Sequence, residues 1–168
     1  NGLSLARKAL FENGKYTPDQ VIPSLGRTIG EELLKPTQIY SNAVGMLLDS
    51  EIRVKALVHV TGDGGLLNLT RTKSDVGYII EQFPEPQAIF ALIKDARQIS
   101  DAEMFRVYNM GIGFCVVVDP DDTDKAIEIL GESDVERYLI GYAVADKKRQ
   151  LNIKPHGLIG TNGRFIKG

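Results

Sequence analysis

Two glycine-rich bends and one histidine are the residues here whose types and spacing suit chemistry. His59-Val60-Thr61-Gly62-Asp63-Gly64-Gly65 lies between a strand pattern and a helix pattern, and Asn109-Met110-Gly111-Ile112-Gly113 lies between an amphipathic helix and a continuous apolar strand. Glycines spaced this way let the backbone come close to a ligand and take dihedral angles closed to other residues. His59 ends its strand and points opposite to Val58 and Val60. An imidazole there reaches a ligand beside a flexible turn, and suits proton transfer or donation to an oxyanion. Its plainer role is a local hydrogen bond that orders the turn. Thr61 to Gly65 runs into a helix start, where backbone N–H groups favour anions. It matches neither the phosphate-loop nor the dinucleotide fingerprint, and Asp63 would repel phosphate unless it caps the helix or meets a cation or an amine. The Asn109 amide both donates and accepts, which suits a polar substrate. Asparagine is equally at home as the left-handed residue that ends a helix. Two such bends in one small chain point to a single substrate site.

Other chemistries find little support. Two distant histidines and one cysteine make no zinc spacing. Asp119, Asp121, Asp122 and Asp124 read as an acidic helix start favoured by the helix dipole, and Ser41 and Ser50 sit in no nucleophile elbow. Cys115, within Gly113-Phe114-Cys115-Val116-Val117-Val118, reads as a small buried hydrophobe; a lone cysteine fits a cytoplasmic protein. With 168 residues, 43% hydrophobic and 25% charged, the chain suits one globular domain over 1–168. A net charge of −2 leaves no basic footprint for nucleic acid. No apolar run approaches the about 20 residues of a membrane span.

The elements that must position these bends are legible as patterns. Residues 3–12 read as a helix, with Leu3, Ala6, Ala9 and Leu10 on one face, stopped by Asn13-Gly14. Its immediate start after Asn1-Gly2 reads as a piece of a longer chain. Thr17-Pro18-Asp19 reads as a short helix start ended by Pro23, and 24–36 as irregular. Pro36-Thr37 opens a helix through Ile39, Tyr40, Ala43, Val44, Leu47 and Leu48. Strands follow at 54–60 and 76–81, with a helix at 66–72 between them. A stiff Phe83-Pro84-Glu85-Pro86 connector leads to a helix over 87–97. Ser100-x-x-Glu103 has the capping-box spacing and starts another helix. A strand at 113–118 and a helix at 121–131 come next. Strands near 137–144 and 149–154 are expected to close as a hairpin across Asp146-Lys147-Lys148, and Arg164-Phe165-Ile166 to form a last short strand. This is an α+β fold with a mixed or antiparallel sheet covered by helices, and a ferredoxin-like split β-α-β over 53–145 fits it.

Four ordered segments carry a family resemblance: Asn1 to Arg7, Gly30-Glu31-Glu32-Leu33-Leu34-Lys35-Pro36-Thr37, His59-Val60-Thr61-Gly62, and Glu103 to Gly113. Together they resemble the C-terminal half of the aminoimidazole ribonucleotide synthetases, the phosphoribosylformylglycinamidine cyclo-ligases of purine synthesis. The Gly-Asp-Gly-Gly form, with Phe83-Pro84-Glu85-Pro86-Gln87 after it, looks like the archaeal branch. The chain departs from the family's Thr-Gly-Gly-Gly by inserting Asp63, and then reads Leu66-Leu67-Asn68. The resemblance implies a two-domain enzyme that forms a homodimer through a first domain, which also holds most of the ATP and Mg2+ contacts. The second domain supplies the loops that face formylglycinamidine ribonucleotide. ATP phosphorylates the formylglycinamidine amide oxygen, and an internal amine then attacks the activated carbon and closes the ring. In that scheme His59 is catalytic, and Thr61, Gly62, Asp63, Gly64, Gly65, Asn109, Gly111, Gly113, Thr37 and Asn1 bind substrate. Two alternatives stay open at this point: another ATP-dependent enzyme of the same superfamily, or a binding module that kept the fold without the chemistry.

Overall fold

A computed structural model describes residues 2–12, 15–62, 64–71 and 74–168. The Asn13-Gly14 helix stop, the Thr72 helix end, Asp63 and Asn1 therefore lie outside the described residues.

Helix α1 (Leu3–Arg7) continues as a π-helical turn over Lys8–Glu12, and it buries Ala6, Ala9 and Leu10. Strands β1 (Val21–Ile22) and β2 (Arg27–Thr28) pair antiparallel. The helix expected at Thr17-Pro18 is absent; Pro18 and Asp19 form a turn instead. Only four residues separate Pro18 from Pro23, too few to recover the cost of helix nucleation. The Pro18 and Gln20 carbonyls accept instead from Gly30 N–H (2.8 Å) and Ile29 N–H (3.1 Å). Those bonds seat α2 (Ile29–Leu33) inside the span expected to be irregular. Its start is a full capping box: Thr28 Oγ1 accepts from Glu31 N–H, and the Glu31 carboxylate accepts from Thr28 N–H. Those Thr28 hydrogen bonds hold the Glu31 carboxyl below its usual pKa.

Helix α3 spans Ser41–Leu48, so the helix expected from Pro36-Thr37 begins later. Residues 35–40 run exposed except for half-buried Tyr40, and Ile39 is 76% exposed. Strand β3 (Ala56–His59) is followed by a 3-10 turn over Gly65–Arg71 and by β4 (Val76–Ile80). Helices α4 (Ala88–Arg97) and α5 (Asp101–Val107) match their sequence patterns, with Ser100 Oγ accepting from Glu103 N–H at the start of α5. Strand β5 (Phe114–Val117) and helix α6 (Thr123–Gly131) follow. Strands β6 (Gly141–Ala145), β7 (Leu151–Ile153), β8 (Leu158–Thr161) and β9 (Arg164–Lys167) complete the chain.

The fold is α+β. Strands β3 and β5 make an antiparallel ribbon, and a five-stranded mixed sheet has the order β6-β4-β7-β8-β9. Within it β4 pairs antiparallel with β6 and parallel with β7. The expected β6–β7 hairpin therefore does not form, because β4 lies between the two strands. The connection has to cross the width of a strand, about 9–10 Å. Asp146 makes that possible: its carboxylate accepts from Lys148 N–H (2.9 Å) and Gln150 N–H (2.8 Å), bonds that hold its pKa low. Gly77 of β4 leaves room for this crossing, since a Cβ there would lie 2.8 Å from Gln150 O and from Asp146 Oδ2.

The main core joins α1, α4 and α5 to the mixed sheet and to the inner face of the ribbon, through Leu10, Ile93, Met104, Phe105, Tyr108, Leu151 and Ile153 among others. A smaller core of Leu47, Ile52 and Ala126 packs α3 and α6 against Val116 and Val118. Cys115 is buried as expected, and burial pushes its thiol up to about 12. Phe105 anchors α5 to the sheet: its ring meets His156 (4.6 Å), Phe83 (5.3 Å) and Phe165 (6.2 Å).

Burial in this cluster lowers the His156 pKa; Lys94 adds to the shift, while Asp101 and Glu85 oppose it. The folded state therefore favours the neutral ring. Its contribution is complete above the usual histidine value near 6.5 and is lost as pH falls below it, where the unfolded chain takes up the proton first. Between pH 7 and pH 5 the urea midpoint of the protein should drop, and His156→Leu should flatten that slope. An unchanged slope in the variant would assign the acid sensitivity to other groups.

Candidate functional site

The two glycine bends meet. Ribbon register sets His59 opposite Phe114, and Val60 N–H donates to Gly113 O at 2.9 Å. On the other side Gly64 N–H donates to Arg106 O at 3.0 Å. Gly65, at φ +50°, packs so tightly against the end of α5 that a Cβ would lie 2.6 Å from Phe105 O and 3.0 Å from Tyr108 O. The first bend is thus bonded to residues on both flanks of Asn109. The Gly2 backbone also belongs here: a Cβ on it would fall against the Tyr108 ring. Asn1 lies outside the described residues, but its neighbour runs beside the residue that precedes Asn109.

The glycines divide by what surrounds them. Gly62 (φ +70°) has open space where a side chain would go. Gly64 and Gly111 spend their N–H groups internally, on Arg106 O and on Asn109 Oδ1 (3.0 Å). Gly111 (φ +99°) and its neighbour Met110 (φ +51°) are both left-handed, so the Asn109 side chain closes the bend over an unusual backbone. Gly113 lies against a neighbouring side chain: a Cβ there would overlap the Tyr40 hydroxyl.

His59 is exposed, and its ring lies 6.3 Å from Tyr40 and 6.0 Å from Phe114, which are 5.4 Å from each other. Beside this cluster an open groove of about 390 Å³ runs along β3 from Ala56 to His59 and on to Thr61, Asn68 and Arg71. Thr61, half-buried, lines it. Thr37 sits on the exposed segment three residues before Tyr40, outside the ring cluster. Asp63 lies outside the described residues.

Two residues outside the expected site set shape this site: Tyr40, and Asn68, which the sequence marks only as part of its departure from the family's loop. Asn68 Nδ2 donates to Thr61 O (2.7 Å) and His59 O (3.3 Å), clamping the first bend from inside. Among the described residues its Oδ1 is buried without a partner. Its helical spacing places Tyr40 in an apolar helix stripe, whereas its ring packs edge-on to the histidine. The Tyr108 hydroxyl is likewise buried without a partner among the described residues, and burial pushes its pKa up to about 12. It is therefore a neutral core phenol beneath the second bend.

Among the described residues no three His, Cys, Asp or Glu side chains gather as a metal site, and no helix is long and apolar enough to cross a membrane.

Residues 1–154 match the family profile described as AIR synthase related protein, C-terminal domain. Several curated relatives carry the name phosphoribosylformylglycinamidine cyclo-ligase. One from Methanothermobacter thermautotrophicus is 47% identical over 132 residues, covering 79% of this chain and 38% of the relative. One from Methanocaldococcus jannaschii is 45% identical over 145 residues, 86% of this chain and 41% of the relative. One from Thermodesulfovibrio yellowstonii is 42% identical over 156 residues, 92% of this chain and 45% of the relative. The chain thus spans under half the length of these relatives. On the profile match and these identities, the chain belongs to the AIR synthase related family and corresponds to its C-terminal domain.

Proposed function

We propose that this chain is the substrate-facing domain of an ATP-dependent cyclo-ligase that converts formylglycinamidine ribonucleotide to aminoimidazole ribonucleotide in purine synthesis. The observation that carries the reading is the joining of the two glycine bends through the Val60–Gly113 and Gly64–Arg106 hydrogen bonds, in a chain whose relatives are named phosphoribosylformylglycinamidine cyclo-ligases. The chemistry asks for few groups. Transfer of phosphate to the amide oxygen makes that oxygen a leaving group, and the neighbouring amine then closes the ring. Positioning and charge stabilisation do most of such work.

In this reading His59 hydrogen-bonds the formylglycinamidine oxygen and steadies its developing charge. Asn109 has its carbonyl tied to Gly111 N–H, so its Nδ2 amino group is the part turned to substrate. Backbone at Gly62 and the Thr61 side chain line the approach, while Gly64, Gly65, Gly111 and Gly113 shape the bends that hold these groups. Asp63, Thr37 and Asn1 are carried over from the family resemblance as further substrate-binding residues. As the family resemblance implies, ATP and Mg2+ are held mainly by the enzyme's other domain, through which it forms a homodimer. Its place is the cytoplasm, where purine precursors are made.

The test is turnover. The full-length enzyme containing this chain should form aminoimidazole ribonucleotide and ADP from formylglycinamidine ribonucleotide and ATP, whereas the 168-residue chain alone should form none. Lack of product from the full-length enzyme would move the reading to another substrate of the superfamily, and turnover by the chain alone would overturn the division of labour.

A further inference from the structure

We infer that Tyr40 is a positioning residue for His59, and that Gly113 is glycine in order to admit it. This rests on His59 facing substrate, as proposed above. The ribbon β3–β5 has two faces. Val58 and Cys115, paired across it, turn to the main core, while the opposite face carries the pairs Leu57–Val116 and His59–Phe114. Helix α3 covers that second face at its far end, where Leu47 packs in the small core that Val116 joins. Tyr40 stands immediately before α3, and its carbonyl accepts the helix's first bond from Val44 N–H at 2.9 Å. The helix therefore delivers the phenol ring to the His59 end of the ribbon.

There the ring meets the imidazole at 67°, an edge-on arrangement with centroids 6.3 Å apart, and lies 5.4 Å from Phe114. Both separations fall within the range that aromatic pairs prefer. Phe114 approaches the imidazole at 31°. The exposed histidine thus packs against one side of a Tyr40–Phe114 ring pair drawn from two different elements, which restricts the rotamers its side chain can visit. The Tyr40 hydroxyl fills the space over Gly113, and a Cβ at 113 would lie 2.9 Å from Tyr40 Cζ as well as overlapping the hydroxyl. Burial raises the Tyr40 pKa and keeps the phenol neutral. The glycine at 113 therefore makes room for a side chain that holds the histidine, rather than for a ligand.

A double-mutant cycle in the full-length enzyme tests this. Tyr40→Leu should lower kcat roughly 10-fold, the scale of a modest misplacement, with KM within about 3-fold of wild type. Tyr40→Phe should restore most of kcat, since it keeps the ring. Gly113→Ala should lower kcat similarly, and the Tyr40→Leu/Gly113→Ala double variant should be no worse than either single one. A proton NMR spectrum supplies a readout free of activity: the His59 Hε1 resonance, assigned by its loss in His59→Gln, should shift in Tyr40→Leu as the ring current is lost. Tyr40→Met serves the same purpose if the leucine variant fails to fold. An unmoved Hε1 signal, or a wild-type kcat in Tyr40→Leu, would overturn the positioning role; multiplicative losses in the double variant would return Gly113 to ligand approach. An inactive wild-type enzyme would sink the cyclo-ligase reading alone, because the NMR shift still reports the Tyr40–His59 contact.

Discussion

His59→Ala in the full-length enzyme should cut kcat/KM by roughly 10²-fold or more, the usual cost of removing a positioned proton donor or oxyanion ligand. His59 is exposed at the end of β3, its backbone is pinned through Val60 N–H to Gly113 and through His59 O to the Asn68 amide, and its ring packs against the Tyr40–Phe114 pair. Structure invested in a solvent-facing side chain points to a ligand. The unfolding midpoint should barely move, because the imidazole covers little of the core. His59→Asn should recover part of the rate if donation is what matters. Wild-type kinetics in His59→Ala would make the ring cluster a packing feature and leave Asn109 as the principal recognition group.

The second large effect concerns stability. Gly65→Ala should destabilise the protein by about 2–4 kcal/mol, combining the left-handed backbone penalty with the overpacking of a closed site. The carbonyls of Phe105 and Tyr108 stand where the new methyl would go, and neither can yield without moving the end of α5. Gly62→Ala is the control. Its φ is similarly left-handed but its surroundings are open, so only the backbone penalty of about 1–2 kcal/mol applies. Urea unfolding of the two variants separates the terms; equal losses would mean that the bends are not tightly apposed at Gly65.

The elements whose residues answer to their own helix or strand were legible in the sequence. Helices α4 and α5 and strands β3, β4 and β5 follow from local periodicity, the Ser100 cap and the Pro84/Pro86 connector, and they already bracket both bends. Elements decided by distant partners were not. Pro18 cannot start a helix here because its carbonyl is engaged by Gly30. The helix at Ile29–Leu33 did leave a signal, since Thr28-x-x-Glu31 is the same motif as Ser100-x-x-Glu103; Gly26 and Gly30 obscured it. Strands β6 and β7 each read correctly as strands, yet nothing local says that a third strand separates them. The site followed the same rule. His59, Asn109 and the glycines announced themselves by type, whereas Tyr40 and Asn68 act through contacts that only the folded chain makes. Tyr40 sits at a helical interval from Val44 and Leu47, so its pattern pointed to the wrong partner.

The place of β4 between β6 and β7 has a consequence for biosynthesis. Both strands that flank it are encoded more than sixty residues downstream, so as the polypeptide leaves the ribosome Val76–Ile80 emerges with neither edge covered. Until residue 153 has cleared the exit tunnel, this apolar stretch depends on transient shelter from helices α4 and α5 or from a chaperone, and pausing or premature termination in that interval would leave an aggregation-prone segment bare.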